Sequence, residues 1–382
     1  MEVRESTGFK SPESQFREGH RVPRAPASRG TVTTVKRYLV PVLYVALLST
    51  GWSAAHVFGQ ANDANAQAHL AAARALAYEP GHDYTGSFEV ICVPPQPPAP
   101  QAAGGRGAGG GGGGGGGRGT PPRAQWYAEP ARLFDNLYFV GASNDSAYAL
   151  TTSDGIILLN TVPEYAVEAE IVDGFKKLNL DPARIKYVLI ADARAPSYGG
   201  VRYLQDHYPV HVLSSEADWN VMAKTNVADN ARPKKDMVIT DGQTLTLGDT
   251  TITMYVTPGH TPGTISTIIP LKDGNQKHVA AMLGGRDPLV NGEGVQYFPT
   301  DLDAIRLWKT SVNRFRDVAA KAGADVFLIT RGQNDRLPDK IHALKYRKPG
   351  GPHPLVSKDA VKRYMNMTSA CMDAQLAWRA AR

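Results

Sequence analysis

Between Trp126 and Thr330 short apolar runs alternate with turn residues, and this texture restricts the chain to a layered α/β fold. Residues 137–140, 147–150 and 155–159 read as strands, with Ser153-Asp154-Gly155 as the turn between the last two. Val167, Ile171, Phe175 and Leu178 recur at helical spacing. Residues 186–191 read as a strand, 200–208 as a helix and 210–214 as another strand. Residues 244–247 and 251–256 make a hairpin around Gly248-Asp249, and 265–269 and 278–283 are further strands. Ile305, Trp308, Val312 and Phe315 mark a helix, residues 326–330 a strand. Val361, Tyr364, Met365, Thr368, Cys371 and Met372 share one face of a final helix. A run of strands followed by alternating α and β elements indicates a sandwich with more than one sheet.

The region before Trp126 has a different character. Residues 1–37 hold eight Lys/Arg and four Asp/Glu, so this tail supplies +4 of the net charge of +6. A basic leader on a near-neutral body argues against a nucleic-acid-binding face. Residues 38–55 are apolar and uncharged and follow Lys36-Arg37, the pattern of a signal peptide, with Ala64-Asn65-Ala66 as a distant cleavage site. Uncleaved, the 18 residues would just span a bilayer and be the chain's membrane contact. Either route places the body in the periplasm or outside the cell, where disulfides persist. Residues 67–100 form a helical and Pro-rich extension, and 101–125 a linker whose nine consecutive glycines, 109–117, hold no structure of their own. No G-K-[S/T] follows, so the tract is not a phosphate loop.

The body, residues 126–345, resembles the metallo-β-lactamase superfamily, nearest to the zinc β-lactamase subclass that is similar to glyoxalase II. Asn136-Leu137-Tyr138-Phe139-Val140-Gly141 resembles its opening strand. The segment from Thr151 to Thr161 resembles the hairpin that follows. Asp241-Gly242 leads through Leu247-Gly248 to Thr257-Pro258-Gly259-His260-Thr261-Pro262-Gly263, which matches the family's T-P-G-H-T-P-G loop in full. The resemblance implies an αββα sandwich, here with helical N-terminal and C-terminal extensions, the latter over residues 346–382. It also implies an H-x-H-x-D-H segment after Tyr187-Val188-Leu189-Ile190 and before Tyr198-Gly199-Gly200. Asp192, Arg194, Pro196 and Ser197 stand at those positions, and Arg331 stands where the last histidine is expected. Five of six ligands are therefore replaced, and His260 is the survivor.

A catalytic zinc needs about three His or carboxylate ligands and an open position for water. Arginine keeps its proton and offers no lone pair. The expectation is a non-hydrolytic pseudoenzyme or binding protein whose pocket, from Asp192, Arg194, Ser197, His260, Arg286 and Arg331, is arginine-lined, without a cofactor, and suited to an anionic small molecule. An Asp192–Arg194–Arg331 ion-pair network would fill it. Two catalytic readings stand beside this one. Asp192, His260 and Asp287 would hold a single zinc in a reduced hydrolase site for a β-lactam, thioester or ester bond. Ser197, His260 and Asp192 have the composition of a nucleophile–base–orienter triad, although the glycine that opens a nucleophile elbow is missing. A purely structural envelope component is the remaining alternative. Trp219, Trp308 and Phe315 are assigned to the core or to pocket lining, and His207 and His211 to the surface around Pro209. Cys92 and Cys371, the only cysteines, lack the C-x-x-C spacing of a thiolate zinc cage. They are expected to form a disulfide worth about 4–5 kcal/mol in the chain-entropy model.

Overall fold

Short apolar strands that alternate in direction close into antiparallel ladders, whereas strands separated by helices pair in parallel; both occur here. The structure, a computed structural model, describes residues 50–79, 82–95 and 120–380, with side chains from residue 63 onward. The basic tail, residues 38–49 of the apolar segment, the glycine tract and most of the Pro-rich run lie outside the described residues.

Seven strands form the first sheet in sequence order: β1 (Ala131–Arg132), β2 (Leu137–Phe139), β3 (Tyr148–Thr151), β4 (Ile156–Leu159), β5 (Ile185–Leu189), β6 (His211–Ser215) and β7 (Met237–Ile239). β1 to β4 pair antiparallel and β4 to β7 parallel. The second sheet contains β8 (Thr244–Leu247), β9 (Thr250–Val256), β10 (Ile265–Asp273) and β11 (Gln276–Leu283). A small hairpin, β12 (Asn291–Gly292) with β13 (Val295–Gln296), follows, and β14 (Val326–Ile329) then joins the second sheet parallel to β11, giving the order β14-β11-β10-β9-β8. In chain order the helices are α1 (Thr50–Ala77), α2 (Thr85–Ile91), α3 (Asp173–Lys177), α4 (Ala195–Tyr198), α5 (Val201–His207), α6 (Glu216–Met222), α7 (Asp301–Lys321), α8 (Leu337–Leu344) and α9 (Ala360–Ala380).

The sheets face each other across Leu137, Leu150, Ile157 and Leu159 on one side and Ile252, Met254, Ile265 and Met282 on the other. Phe175, Val201, Leu204 and Trp219 cover the outer face of the first sheet. Trp308, Val312, Phe315, Tyr364 and Met365 cover that of the second. The result is the expected αββα sandwich. β4 is a run of four buried apolar residues because both of its faces are covered. The single amphipathic helix expected over 167–178 is instead a π turn, Glu168–Val172, running into α3. Val167, Ile171 and Phe175 keep their buried face. The π turn also faces Glu170 inward, where its Oε1 accepts the Ala128 N–H at 2.9 Å and burial pushes the carboxyl up to about 8. Trp219, Trp308 and Phe315 are core residues, as expected.

The two extensions pack on each other. Ala73 and Ala77 of α1, and Tyr84 and Ile91 beside α2, share a buried cluster with Val361, Tyr364 and Cys371 of α9. Arg363 donates to the Leu76 carbonyl at 2.9 Å and to the His82 carbonyl. A disulfide joins Cys92 to Cys371. Ala64-Asn65-Ala66 lies within α1, with Ala66 buried against Ala374, Ala377 and Trp378, so cleavage there would have to precede this docking. No helix among the described residues is long and apolar enough to cross a membrane. Replacing both cysteines by serine should destabilise the protein by about 2–5 kcal/mol, read as a lowered urea midpoint. An unchanged midpoint would show that packing alone fixes the extension.

Candidate functional site

The site is built from four loops at the ends of the strands between the sheets. The loop after β9 carries His260, and its sequence is dictated by close packing. Gly259 has φ +130, and a Cβ there would stand 2.5 Å from the Trp308 backbone. A Cβ on Gly263 would overlap Ser215 Oγ at 1.8 Å. Asp218, fully buried in the first turn of α6, accepts hydrogen bonds from Thr261 Oγ1 and the Gly263 N–H, both at 2.7 Å. Ser311 on α7 donates to the Pro258 carbonyl at 2.7 Å. His260, 3% exposed, donates from Nδ1 to the Asp287 carbonyl at 2.6 Å. Burial holds its imidazole below the ordinary value against the pull of Asp192 and Asp287. With Nδ1 as the donor, the neutral ring keeps its Nε2 lone pair available.

The second loop, residues 190–200, is held by the end of the β3–β4 hairpin. Asn160 sits at φ 61, a conformation asparagine tolerates, and its Oδ1 accepts the Ala191 N–H at 2.8 Å. Thr161 donates from its backbone and from Oγ1 to the Ser197 carbonyl, at 2.9 and 3.0 Å. Asp192 is buried; its Oδ2 accepts from Ser197 Oγ at 2.8 Å and its Oδ1 from the Arg194 N–H at 3.0 Å. Glu293, at φ 47 in the β12–β13 turn, accepts from the Ala195 N–H at 3.3 Å and from Tyr297 Oη at 2.8 Å.

The other two loops, after β11 and β14, supply paired charges together with Asp145 of the β2–β3 turn. Arg331 forms an ion pair with Asp145. Burial raises the Asp145 carboxyl above its usual range, opposed by Arg331 and Arg194. Arg286 grips Asp287 through two bonds of 3.1 and 3.2 Å and reaches Asn334 Oδ1 at 3.3 Å. Burial alone would raise Asp287, yet Arg286, His260 and Arg194 together hold it below the usual carboxylate range. The expected Asp192–Arg194–Arg331 network is thus not the arrangement found, because Asp145 lies within reach of Arg331 and Asp192 is satisfied by Ser197 and backbone. The pocket is also less cationic than the sequence suggests, since two of its three arginines are neutralised. Arg194 is the exception. It is 9% exposed, electrostatically felt by Asp145, His260, Asp287 and Tyr297, and its guanidinium has no hydrogen bond or ion pair among the described residues.

The donors do not fit a zinc ion. His260 Nε2 is left open, whereas Asp192 already accepts from two donors and Asp287 from a bidentate guanidinium. Among the described residues no three His, Cys, Asp or Glu side chains are grouped as a metal would require. Nor does a serine triad form, because Ser197 donates to Asp192 and His260 donates to a carbonyl.

No protein-family model matches the chain. Solved structures do. A subclass B3 metallo-β-lactamase of Bradyrhizobium japonicum, BJP-1, is 25% identical over 66% of this chain and 96% of its own, with a TM-score of 0.56. A metallo-β-lactamase of Cronobacter sakazakii described by its HARLDQ motif is 25% identical over 69% of this chain and 96% of its own, also at 0.56. A variant of that protein, in which an arginine, a glutamine and a lysine are each changed to histidine, is 25% identical over 67% of this chain and all of its own, at 0.54. This chain accordingly belongs to the metallo-β-lactamase fold superfamily. Residues 192–197 here, Asp-Ala-Arg-Ala-Pro-Ser, share with a HARLDQ hexapeptide the alanine and the arginine at its second and third positions.

Sequence reasoning missed Asp145, Asp218, Glu293 and Asn334. Only Asp218 carried a signal, as an acidic residue in the first turn of a helix that the apolar spacing did not mark. Burial, reinforced by Asp192, pushes its carboxyl up to about 7. A raised folded-state value means that its contribution to stability is complete near pH 4 and is lost as pH rises through about 7. Asp218→Asn should therefore gain on the wild type by up to about 1.4 kcal/mol per pH unit across that window, then level off. Melting temperatures of both proteins from pH 5 to 8 test this, and a constant difference would place the Asp218 carboxylate in its charged form throughout.

Proposed function

We propose that the protein is an exported, non-hydrolytic member of this superfamily that binds a small monoanionic carboxylate beside His260. The observation that carries this reading is Arg194, a guanidinium 9% exposed and without a partner among the described residues. A buried, unpaired charge is costly, so an anion placed against it by a ligand stabilises both. Planar guanidinium matches carboxylate in a two-bond geometry. His260 Nε2 adds one acceptor for a donor group on the ligand. Asp192 in the same site opposes a second negative charge, which favours a carboxylate over a phosphate dianion. The basic leader, the apolar segment 38–55 and the Cys92–Cys371 disulfide support a periplasmic or secreted location.

The rival reading, a metal-dependent hydrolase of a β-lactam, thioester or ester, draws on the Cronobacter protein, which is called a metallo-β-lactamase with an arginine in its motif. The engaged state of Asp192 and Asp287 opposes it here.

Titrating acetate and inorganic phosphate into 15N-labelled protein tests the proposal. Acetate should shift the resonances of residues 192–197 and of His260, phosphate should do so more weakly, and Arg194→Gln should weaken acetate binding at least tenfold. Absence of acetate-dependent shifts, or turnover of benzylpenicillin or p-nitrophenyl acetate above background, would overturn it. Fractionated cells should hold the chain in the periplasm or medium; a cytoplasmic pool with free thiols at Cys92 and Cys371 would contradict export.

A further inference from the structure

A continuous set of hydrogen bonds runs from the N-terminal extension to the site histidine. It begins at α2, whose C-terminal end is tied to α9 twice, by the Cys92–Cys371 disulfide and by Gln375 Nε2 donating to the Ile91 carbonyl at 2.6 Å. From α2, Ser87 Oγ donates to the Asn334 carbonyl at 3.1 Å and the Gly86 carbonyl accepts from Asn334 Nδ2 at 3.2 Å. The approach is close enough that a Cβ on Gly86 would stand 3.3 Å from the Asn334 carbonyl oxygen. Asn334 Oδ1 in turn accepts from Arg286 at 3.3 Å, Arg286 holds Asp287 by two bonds, and the Asp287 carbonyl accepts the His260 Nδ1 proton. One side-chain amide thus serves as donor to the extension and acceptor from the site. An amide carries its donor and acceptor on one planar group, so the two bonds together fix its orientation.

We propose that Asn334 is a positioning residue through which the disulfide-anchored N-terminal extension sets the orientation of Arg286 and Asp287, and so the tautomer and placement of His260. The consequence for binding rests on the reading of this cavity as a carboxylate site; the consequence for His260 does not. With Asn334 truncated, Arg286 loses the contact that fixes its guanidinium plane, and the 287 segment is released from the side of the extension. The Nδ1-protonated form of His260 then loses its fixed acceptor. The same loop carries Arg331, three residues before Asn334 and ion-paired with Asp145, so the extension braces two walls of the site through one segment.

The experiment reads the imidazole 15N signals of His260 in the full chain. The wild type should show a single neutral tautomer with Nδ1 protonated. Asn334→Ala should give mixed tautomers or exchange broadening, Ser87→Ala a smaller change of the same kind, and the Cys92→Ser/Cys371→Ser pair a change between the two. Asp273→Ala is the control, because it removes the two bonds from Arg347, at 2.8 and 2.6 Å, and touches nothing in the chain of bonds to His260. Its His260 signals should match the wild type even though its melting temperature falls. Unchanged His260 signals in Asn334→Ala or, if that variant does not fold, in Ser87→Ala, would overturn the proposal. So would an equal change in Asp273→Ala. Acetate affinity should fall at least fivefold in Asn334→Ala. If the wild type binds no acetate, the ligand reading fails while the tautomer signals still decide the role of Asn334.

Discussion

Asp218 holds the loop on which the rest of the site depends. Two bonds of 2.7 Å fasten Thr261 and Gly263 to the first turn of α6, and the glycines on either side of His260 allow the backbone to press against Trp308 and Ser215. A fully buried carboxyl is expensive, and here it is retained because no apolar residue could accept from a hydroxyl and an N–H at once. The loop places His260 between the two sheets with one nitrogen committed to a carbonyl. Asp145, Asp192, Asp287 and Arg331 then stand in loops at the ends of strands belonging to two separate sheets.

What those strand ends present is a set of charges resolved internally. Asp145 takes Arg331, Asp287 takes Arg286, and Asp192 takes a hydroxyl and an N–H. Guanidinium and carboxylate here occupy a region where the resemblance would place metal and imidazole. Coulombic attraction in a poorly hydrated pocket offsets the cost of burying both partners only when geometry is good. The bidentate Arg286–Asp287 contact meets that condition. Arg194 is left over, and its lack of a partner gives the site its chemical direction.

The fold was legible because its signal lies in backbone requirements. The 257–263 loop, the Asn160-Thr161 hairpin end and the apolar runs of β4 and β5 each answer to a steric or hydrogen-bonding need that residue type reveals. Ligand replacement at Asp192, Arg194, Pro196, Ser197 and Arg331 was legible for the same reason, since those positions are fixed by their flanks. Pairing was not. Whether Arg331 meets Asp192 or Asp145 depends on loop geometry across 186 residues, which no local pattern encodes. The π turn at Glu168–Val172 was hidden because one added residue per turn leaves the apolar face of Val167, Ile171 and Phe175 intact. Asn334 carried no signal at all; its role comes from the approach of α2, more than two hundred residues away in sequence.

Zinc stoichiometry tests most directly whether charged pairs have taken the place of a metal. Equilibrium dialysis of the purified chain against micromolar zinc at neutral pH, with bound metal measured by atomic absorption, should give well under one equivalent per chain. One or more equivalents, lost in a chelator and accompanied by zinc-dependent hydrolysis of benzylpenicillin, would contradict it.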